Sequence, residues 1–212
     1  MRDGIARLEP GDRAGSDAVA RLHAELLPDS PIARLGPHFM GRFYYEALVA
    51  DQLIGCHMAY VEGAPAGFIT LTARPATFMA EGLRRHWPRL AWVLAREVLS
   101  SPRRLGVMLW TFGLMRRRAA APVPGEGELL SFGVLPEFRD MAFVRRTGRR
   151  IASELFAAAL ADLRAAGLDR YRAVVVTNNA AALMFYQAQG GRADPDRVSL
   201  PGTLVITGST SG

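Results

Sequence analysis

The chain has 212 residues, half of them hydrophobic and 22% charged, which suits one folded domain and excludes a disordered chain. Its net charge is +6, with the positive charge carried by arginine. This fits a polyanionic partner such as a nucleotide cofactor, a nucleic acid or an anionic membrane surface. The single cysteine, Cys56, excludes an internal disulfide.

Ile5 to Leu8 is predicted as an edge strand, and Pro10-Gly11-Asp12 as a turn. Ser16 is a candidate N-cap for a helix to Leu27, with Val19, Leu22, Leu26 and Leu27 on one face. Pro28 to Pro31 breaks it, and a second helix follows over Phe39 to Val49. His57 to Val61 and Gly67 to Ala73, separated by Glu62-Gly63-Ala64-Pro65, read as a hairpin. Cys56, beside Ile54 and Met58, reads as a buried filler. Residues 75–126 read as a helical insert, with one helix over Phe78 to Leu99 and a second over Arg103 to Arg118. Trp87, Trp92 and Trp110 lie there among many arginines. Three readings of the insert stay open: an acceptor lid, a peripheral membrane contact through residues 78–118, or a homodimer contact. No run approaches the ~20 apolar residues of a membrane span. Met1-Arg2-Asp3-Gly4 lacks a signal peptide's apolar stretch, so a cytoplasmic setting is expected. His23, His38, His57 and His86 are scattered without ligand spacing, and no metal site is expected. No recognition motif supports nucleic-acid binding.

The stretch from Glu128 to Gly191 carries the chemistry. Leu129 to Leu135 is an apolar strand stopped by Pro136. Thr147-Gly148-Arg149-Arg150 opens a helix from Ile151 to Ala166, closed by Gly167. The first amides of a helix lack intrahelical partners and, with the helix dipole, form an anion site. Arg145, Arg146, Arg149 and Arg150 surround that start, and Gly148 lets the backbone approach closely. Ile151, Leu155, Ala159 and Leu163 recur at helical spacing and would pack on a sheet. Tyr171 to Val176 is a second strand, and Ala180 to Gln189 a short helix before Gly190-Gly191. Val198 to Leu200 and Thr203 to Thr207 are predicted as a closing hairpin, and residues 207–212 as a disordered tail beyond a single domain over 1–206.

Asn179, Ala182, Phe185, Tyr186 and Gly190 stand as N-x-x-A-x-x-F-Y-x-x-x-G, and Val134 to Arg139 as V-x-P-E-F-R. In these motifs and their order the chain resembles the GCN5-related N-acetyltransferase (GNAT) family, closely over about 65 residues. Two departures are visible. Setting Leu155-Phe156 on the family's paired leucines aligns Thr147 to Ala152 with its Q/R-x-x-G-x-G/A loop and makes residues 139–146 an insertion; the other register would use residues 139–144. The family's final G-F is Gly190-Gly191, which lacks the aromatic.

The resemblance implies an α/β fold with a mixed, mostly antiparallel sheet, one parallel pair and flanking helices. It implies an enzyme moving an acetyl group from acetyl-CoA to the amine of a small-molecule acceptor, without a metal. The pantetheine arm would pair with Phe132, Gly133 and Val134. The diphosphate would sit on the amides of Gly148, Arg149, Arg150, Ile151 and Ala152, beside Arg146 and Thr147, with Asn179 near the thioester end. Tyr186 would protonate the leaving thiolate; a phenol with an ordinary pKa of ~10 suits that step. Glu128, at the strand's start, is the candidate base for the amine, with Glu126 the alternative. The competing class is a non-catalytic protein of this fold that docks to anionic lipid or a protein partner through the basic insert.

Overall fold

The computed structural model describes residues 3–88, 90–92, 95, 123–197 and 201–211, and among them seven strands and several helices. The strands are β1 (Gly4–Arg7), β2 (Gly55–Val61), β3 (Ala64–Thr72), β4 (Glu126–Val134), β5 (Arg170–Val176), β6 (Arg192–Ala193) and β7 (Thr203–Ser209). They form one sheet in the order β1-β2-β3-β4-β5-β7-β6. Every neighbouring pair is antiparallel except β4–β5, which is parallel. This is the predicted fold class. The β2–β3 hairpin turns on Glu62 and Gly63 alone, both at positive φ (52° and 84°), so Ala64 and Pro65 belong to the strand rather than to the predicted loop.

Among the described residues the helices are α1 (Arg13–Leu26), α2 (Pro31–Arg34), α3 (Phe39–Ala47), α4 (Phe78–Arg85), α5 (Met141–Thr147), α6 (Ile151–Ala165) and α7 (Ala180–Ala188), with a single 3-10 turn at Pro136–Phe138. Asp12, not Ser16, caps α1: its carboxylate accepts from the Gly15 N–H at 2.9 Å, and Ser16 is buried inside the helix. α3 is wound in wide π-type turns, and Leu48–Ala50 continues it as ordinary helix. That winding buries Phe43, Tyr44 and Tyr45 together, although they are consecutive.

Each face of the sheet carries its own core. α1, α3 and α4 cover one face with Val19, Leu22, Phe39, Phe43, Tyr45 and Phe68. α6 and α7 cover the other with Leu155, Phe156, Ala159, Leu163, Tyr171 and Tyr186. His23 of α1 is fully buried in the first core, where its ring stacks on Phe68 at 5.4 Å between centroids. Both its nitrogens are hydrogen-bonded, Nδ1 to the Tyr45 hydroxyl at 2.6 Å and Nε2 to the Ser30 hydroxyl at 2.7 Å. Cys56 is buried as expected.

β7 pairs along its length with β5 and at one end with β6; its predicted hairpin partner, 198–200, lies outside the described residues. One prediction about the C-terminus is corrected. Residues 207–209 are strand rather than tail, because they complete the β5 ladder, and Thr210 is buried with its hydroxyl donating to the Leu168 carbonyl at 2.8 Å. Of the insert, α4 and parts of 86–95 are described; the predicted helix 103–118, with Trp110, lies outside the described residues. Among the described residues no helix is long and apolar enough to cross a membrane.

Candidate functional site

β4 and β5 pair in register only from Glu126↔Arg170 to Leu129↔Ala173. Beyond that point each strand keeps its outer neighbour, β3 or β7, but not the other. Between them the sheet opens into a wedge whose vertex lies at Leu129 and Ala173. The divergence coincides with a β-bulge in the β3–β4 ladder: Thr70 faces Ser131 and Leu71 faces Leu129, leaving Leu130 as an extra residue. A bulge bends its strand and increases the local twist. From Leu130 to Val134, β4 therefore offers an edge of backbone donors and acceptors with no strand against it on the wedge side. Gly133 lets α1 close over this edge, since a Cβ there would lie 2.9 Å from the Leu26 side chain. On the opposite face Phe132 meets Phe185 of α7, with centroids 5.3 Å apart. Phe185 stands in the motif, but nothing local assigns it to the site; its contact spans the wedge and depends on tertiary packing.

α6 starts near the open end of the wedge: Arg149, just before it, reaches the Tyr60 carbonyl, and Tyr60 pairs with Pro65 next to the Gly67↔Val134 end of the β3–β4 ladder. Its cap residue, Arg150, makes no side-chain cap bond. Residues 141–146 are helical, part of α5, rather than a loop. α5 changes which amides are available. Gly148, at φ 70°, ends that helix, and its N–H donates to the Val144 carbonyl at 2.8 Å. The Arg149 N–H donates to the Thr147 hydroxyl at 3.2 Å. The expected diphosphate contacts at Gly148 and Arg149 are thus corrected: their amides close the preceding turn, and those of Arg150, Ile151 and Ala152 remain.

Arg149 is also engaged by its side chain. Nη2 donates to Glu154 at 2.8 Å, and Nη1 reaches Asp3 and the Tyr60 carbonyl, each at 3.3 Å. The Glu154 hydrogen bond is the largest influence raising the Arg149 pKa. Glu154 stands in the first turn of α6, and Arg149 neutralises a carboxylate that would repel an incoming anion. Arg146 lies over the Phe143 ring at 5.7 Å.

Asn179 is the cap of α7, its side-chain oxygen accepting from the Ala182 N–H at 3.1 Å. The structure thus gives it a helix-starting role, where a thioester contact was expected. Tyr186 is buried, edge-on to Phe156 at 6.0 Å and tilted on Tyr171 at 6.5 Å. Burial, followed by the neighbouring Tyr171, pushes its pKa above the ordinary phenol range, so it stays protonated. The aromatic missing at Gly191 is replaced from another strand. A Cβ at Gly191 would meet the Tyr171 hydroxyl at 2.9 Å, and one at Gly208 would meet it at 2.6 Å, so the Tyr171 ring fills that space.

Glu128 is not a solvated strand-end carboxylate. It is buried, and Arg172 Nη2 donates to its Oε2 at 2.9 Å. Glu126 is buried as well and accepts from Arg197 Nη1 with both oxygens, at 2.9 and 2.7 Å. Gly127, between them, faces Leu163 of α6. Both carboxylates therefore point to the other side of the sheet, beside the vertex. No group of residues able to hold a metal ion occurs among the described residues.

A parallel pair that parts at a bulge, beside a helix whose N-terminus is uncapped, is the arrangement of an acyl-CoA N-acyltransferase. The sequence model of the Acetyltransferase (GNAT) family matches residues 19–190, and the chain belongs to that family of N-acetyltransferases. Its fold is similar to that of the PaiA N-acetyltransferase from Thermoplasma acidophilum in complex with coenzyme A, at 13% identity and a TM-score of 0.50 over 99% of each chain. It is also similar to SsHAT, at 16% and 0.54 over 99% of this chain and 100% of that one. Arabidopsis thaliana Naa50 in complex with the bisubstrate analogue CoA-Ac-MVNAL gives 14% and 0.51 over 97% and 99%. No curated protein sequence matches.

Proposed function

We propose that the chain transfers the acetyl group of acetyl-CoA to a primary amine of a small molecule, with an amino sugar or a nucleotide- or lipid-linked amine as the acceptor class. The observation that carries this reading is the wedge: an unpaired β4 edge leading from the uncapped start of α6 to the vertex. The amides of Arg150, Ile151 and Ala152 hold the diphosphate, with Arg146 and Arg150 adding charge. Phe132, Gly133 and Val134 hydrogen-bond the pantetheine as an added strand. The bound thioester supplies an activated acetyl carbon, which the amine nitrogen attacks as the carbon–sulfur bond breaks. Tyr186 gives its phenolic proton to the departing sulfur. Glu128, oriented by Arg172, receives the amine proton directly or through water.

Calorimetry with coenzyme A and a thiol-release assay across an amine panel test this. Micromolar binding and amine-dependent release are expected; no binding at millimolar cofactor would overturn it. A docking role has one observation in its favour: Trp87 and Trp92 are 66% and 60% exposed, near Arg84 and Arg85. Salt-sensitive co-sedimentation with anionic vesicles would support that role, and its absence would remove it.

A further inference from the structure

A cavity of about 530 Å³ opens at the N-terminal ends of β4 and β5, lined among others by Glu126, Arg170, Arg192, Asp194, Arg197 and Thr207. The strand registers place these residues. Glu128, Arg172, Thr207 and Arg192 lie in one line across β4, β5, β7 and β6, and Glu126 and Arg170 stand in the next line. Registered partners on adjacent strands point to the same face.

The charges of this wall, with the buried Glu128–Arg172 pair beside it, divide into two groups. Glu126 is held by Arg197, which also reaches Asp194 at 3.3 Å, and Glu128 is held by Arg172. The side chains of Arg170 and Arg192 have no hydrogen-bond or ion-pair partner among the described residues, and both residues are exposed. Asp169, also exposed on the rim, is the remaining acidic side chain of the lining. The carboxylates nearest the vertex are thus already matched, while two guanidinium groups face the cavity unmatched.

We infer that this cavity is the acceptor subsite and that Arg170 and Arg192 bind an anionic group, a carboxylate or a phosphate, carried by the amine substrate. The inference rests on the acetyltransfer reading and names its acceptor class. Arg170 is one strand across and two residues along from Glu128, a separation of roughly 8 Å between Cα atoms. An amine held at the vertex therefore needs a spacer of several bonds before its anion. A guanidinium binds carboxylate or phosphate through a planar pair of donors, so a neutral amine of the same length loses the contact. A diamine would meet repulsion.

Two arms test this on the full chain. In the first, thiol release from acetyl-CoA is compared for γ-aminobutyrate and ε-aminocaproate, for alkylamines of matched length, and for putrescine and cadaverine. The amino acids are expected to exceed their neutral counterparts in kcat/KM by roughly tenfold or more. Arg170→Gln with Arg192→Gln should erase that preference while acetyl-CoA affinity holds. Equal or better turnover of neutral amines or diamines, or a preference that survives the double variant, overturns the inference. The second arm needs no turnover: calorimetry with inorganic phosphate in cofactor-saturated and cofactor-free protein. A phosphate site lost only in the double variant supports the subsite; binding unchanged in the variant, or absent from the unaltered chain, refutes it. Failure of acetyl-CoA to bind at all would instead count against the acetyltransfer reading, and the phosphate result would still decide the subsite.

Discussion

In the proposed mechanism Tyr186 and Arg149 are two kinds of site residue, one acting on the reacting atoms and one arranging its neighbours. The Tyr186 phenol is kept protonated by burial, so Tyr186→Phe removes a proton donor without removing ring packing. Turnover is expected to fall by roughly 10²-fold with coenzyme A affinity unchanged by calorimetry; an unaltered kcat would remove the acid role. Arg149 acts through Glu154. Arg149→Ala leaves that carboxylate at the helix start, where it repels the diphosphate, and should weaken coenzyme A binding by about 1 kcal/mol. Acetyl-pantetheine, which has no diphosphate, should bind as before, and adding Glu154→Gln should restore coenzyme A affinity. Equal losses for both ligands would mean that Arg149 only supports the fold through Asp3 and Tyr60. His23 gives a pH dependence at the same scale. Burial lowers its pKa from 6.5 to about 4, so the fold binds the neutral ring. Stability is complete above pH 6.5, where folded and unfolded chains are both neutral, and declines as the unfolded chain gains its proton first. The loss grows from about pH 6.5 down to about 4, reaching roughly 3 kcal/mol. Thermal melts should show this decline, reduced in His23→Gln; an equal slope in the variant would place its cause elsewhere.

α6 shows what joins these residues into a scaffold. Gly127 on β4 lies against it, and a Cβ there would collide with Leu163. Gly127→Ala should cost about 1–3 kcal/mol by overpacking and lower the melting temperature, an outcome checked by calorimetric scanning. An unchanged melting temperature would mean that the helix moves aside freely. α6 and α7 were legible in the sequence because their signals are local. Asn179 bonds the N–H three residues on, and Gly190, at φ 81°, lets the Gly191 N–H close onto the Tyr186 carbonyl at 2.8 Å. Those two contacts account for the N-x-x-A start and the Y-x-x-x-G end of the motif as a capped helix. Long-range contacts were not legible. Nothing near Gly191 announces that Tyr171 fills its space, and nothing near Glu128 announces that Arg172, 44 residues on, will bond it at 2.9 Å. The proposed diphosphate loop was less legible. That Gly148 and Arg149 use their amides in the preceding turn depends on α5 being a helix.

At the scale of the whole molecule, the wedge divides the sheet into two parts. β1 to β4 form one block, and β5, β7 and β6 the other. Four registered residue pairs link them, from Glu126↔Arg170 to Leu129↔Ala173. Beyond Leu129 the blocks are held by the helices across the faces and by contacts such as Phe132 on Phe185. The backbone at the open end is therefore the part of the sheet with least protection in the free protein. A cofactor lying along β4 and reaching α6 would bridge the blocks where the strands do not. At a hundredfold excess over its Kd it adds about 2.7 kcal/mol, and each kcal/mol raises the melting temperature of a domain this size by roughly 2–4 °C. Hydrogen exchange measured with and without acetyl-CoA should then slow at residues 130–134 of β4 and at the first turn of α6. The β1–β2 ladder, far from the wedge, should respond only through global stability. Uniform slowing across the sheet would mean that the cofactor stabilises the fold as a unit, without local closure of the wedge. Slowing confined to other segments would place the cofactor away from the wedge.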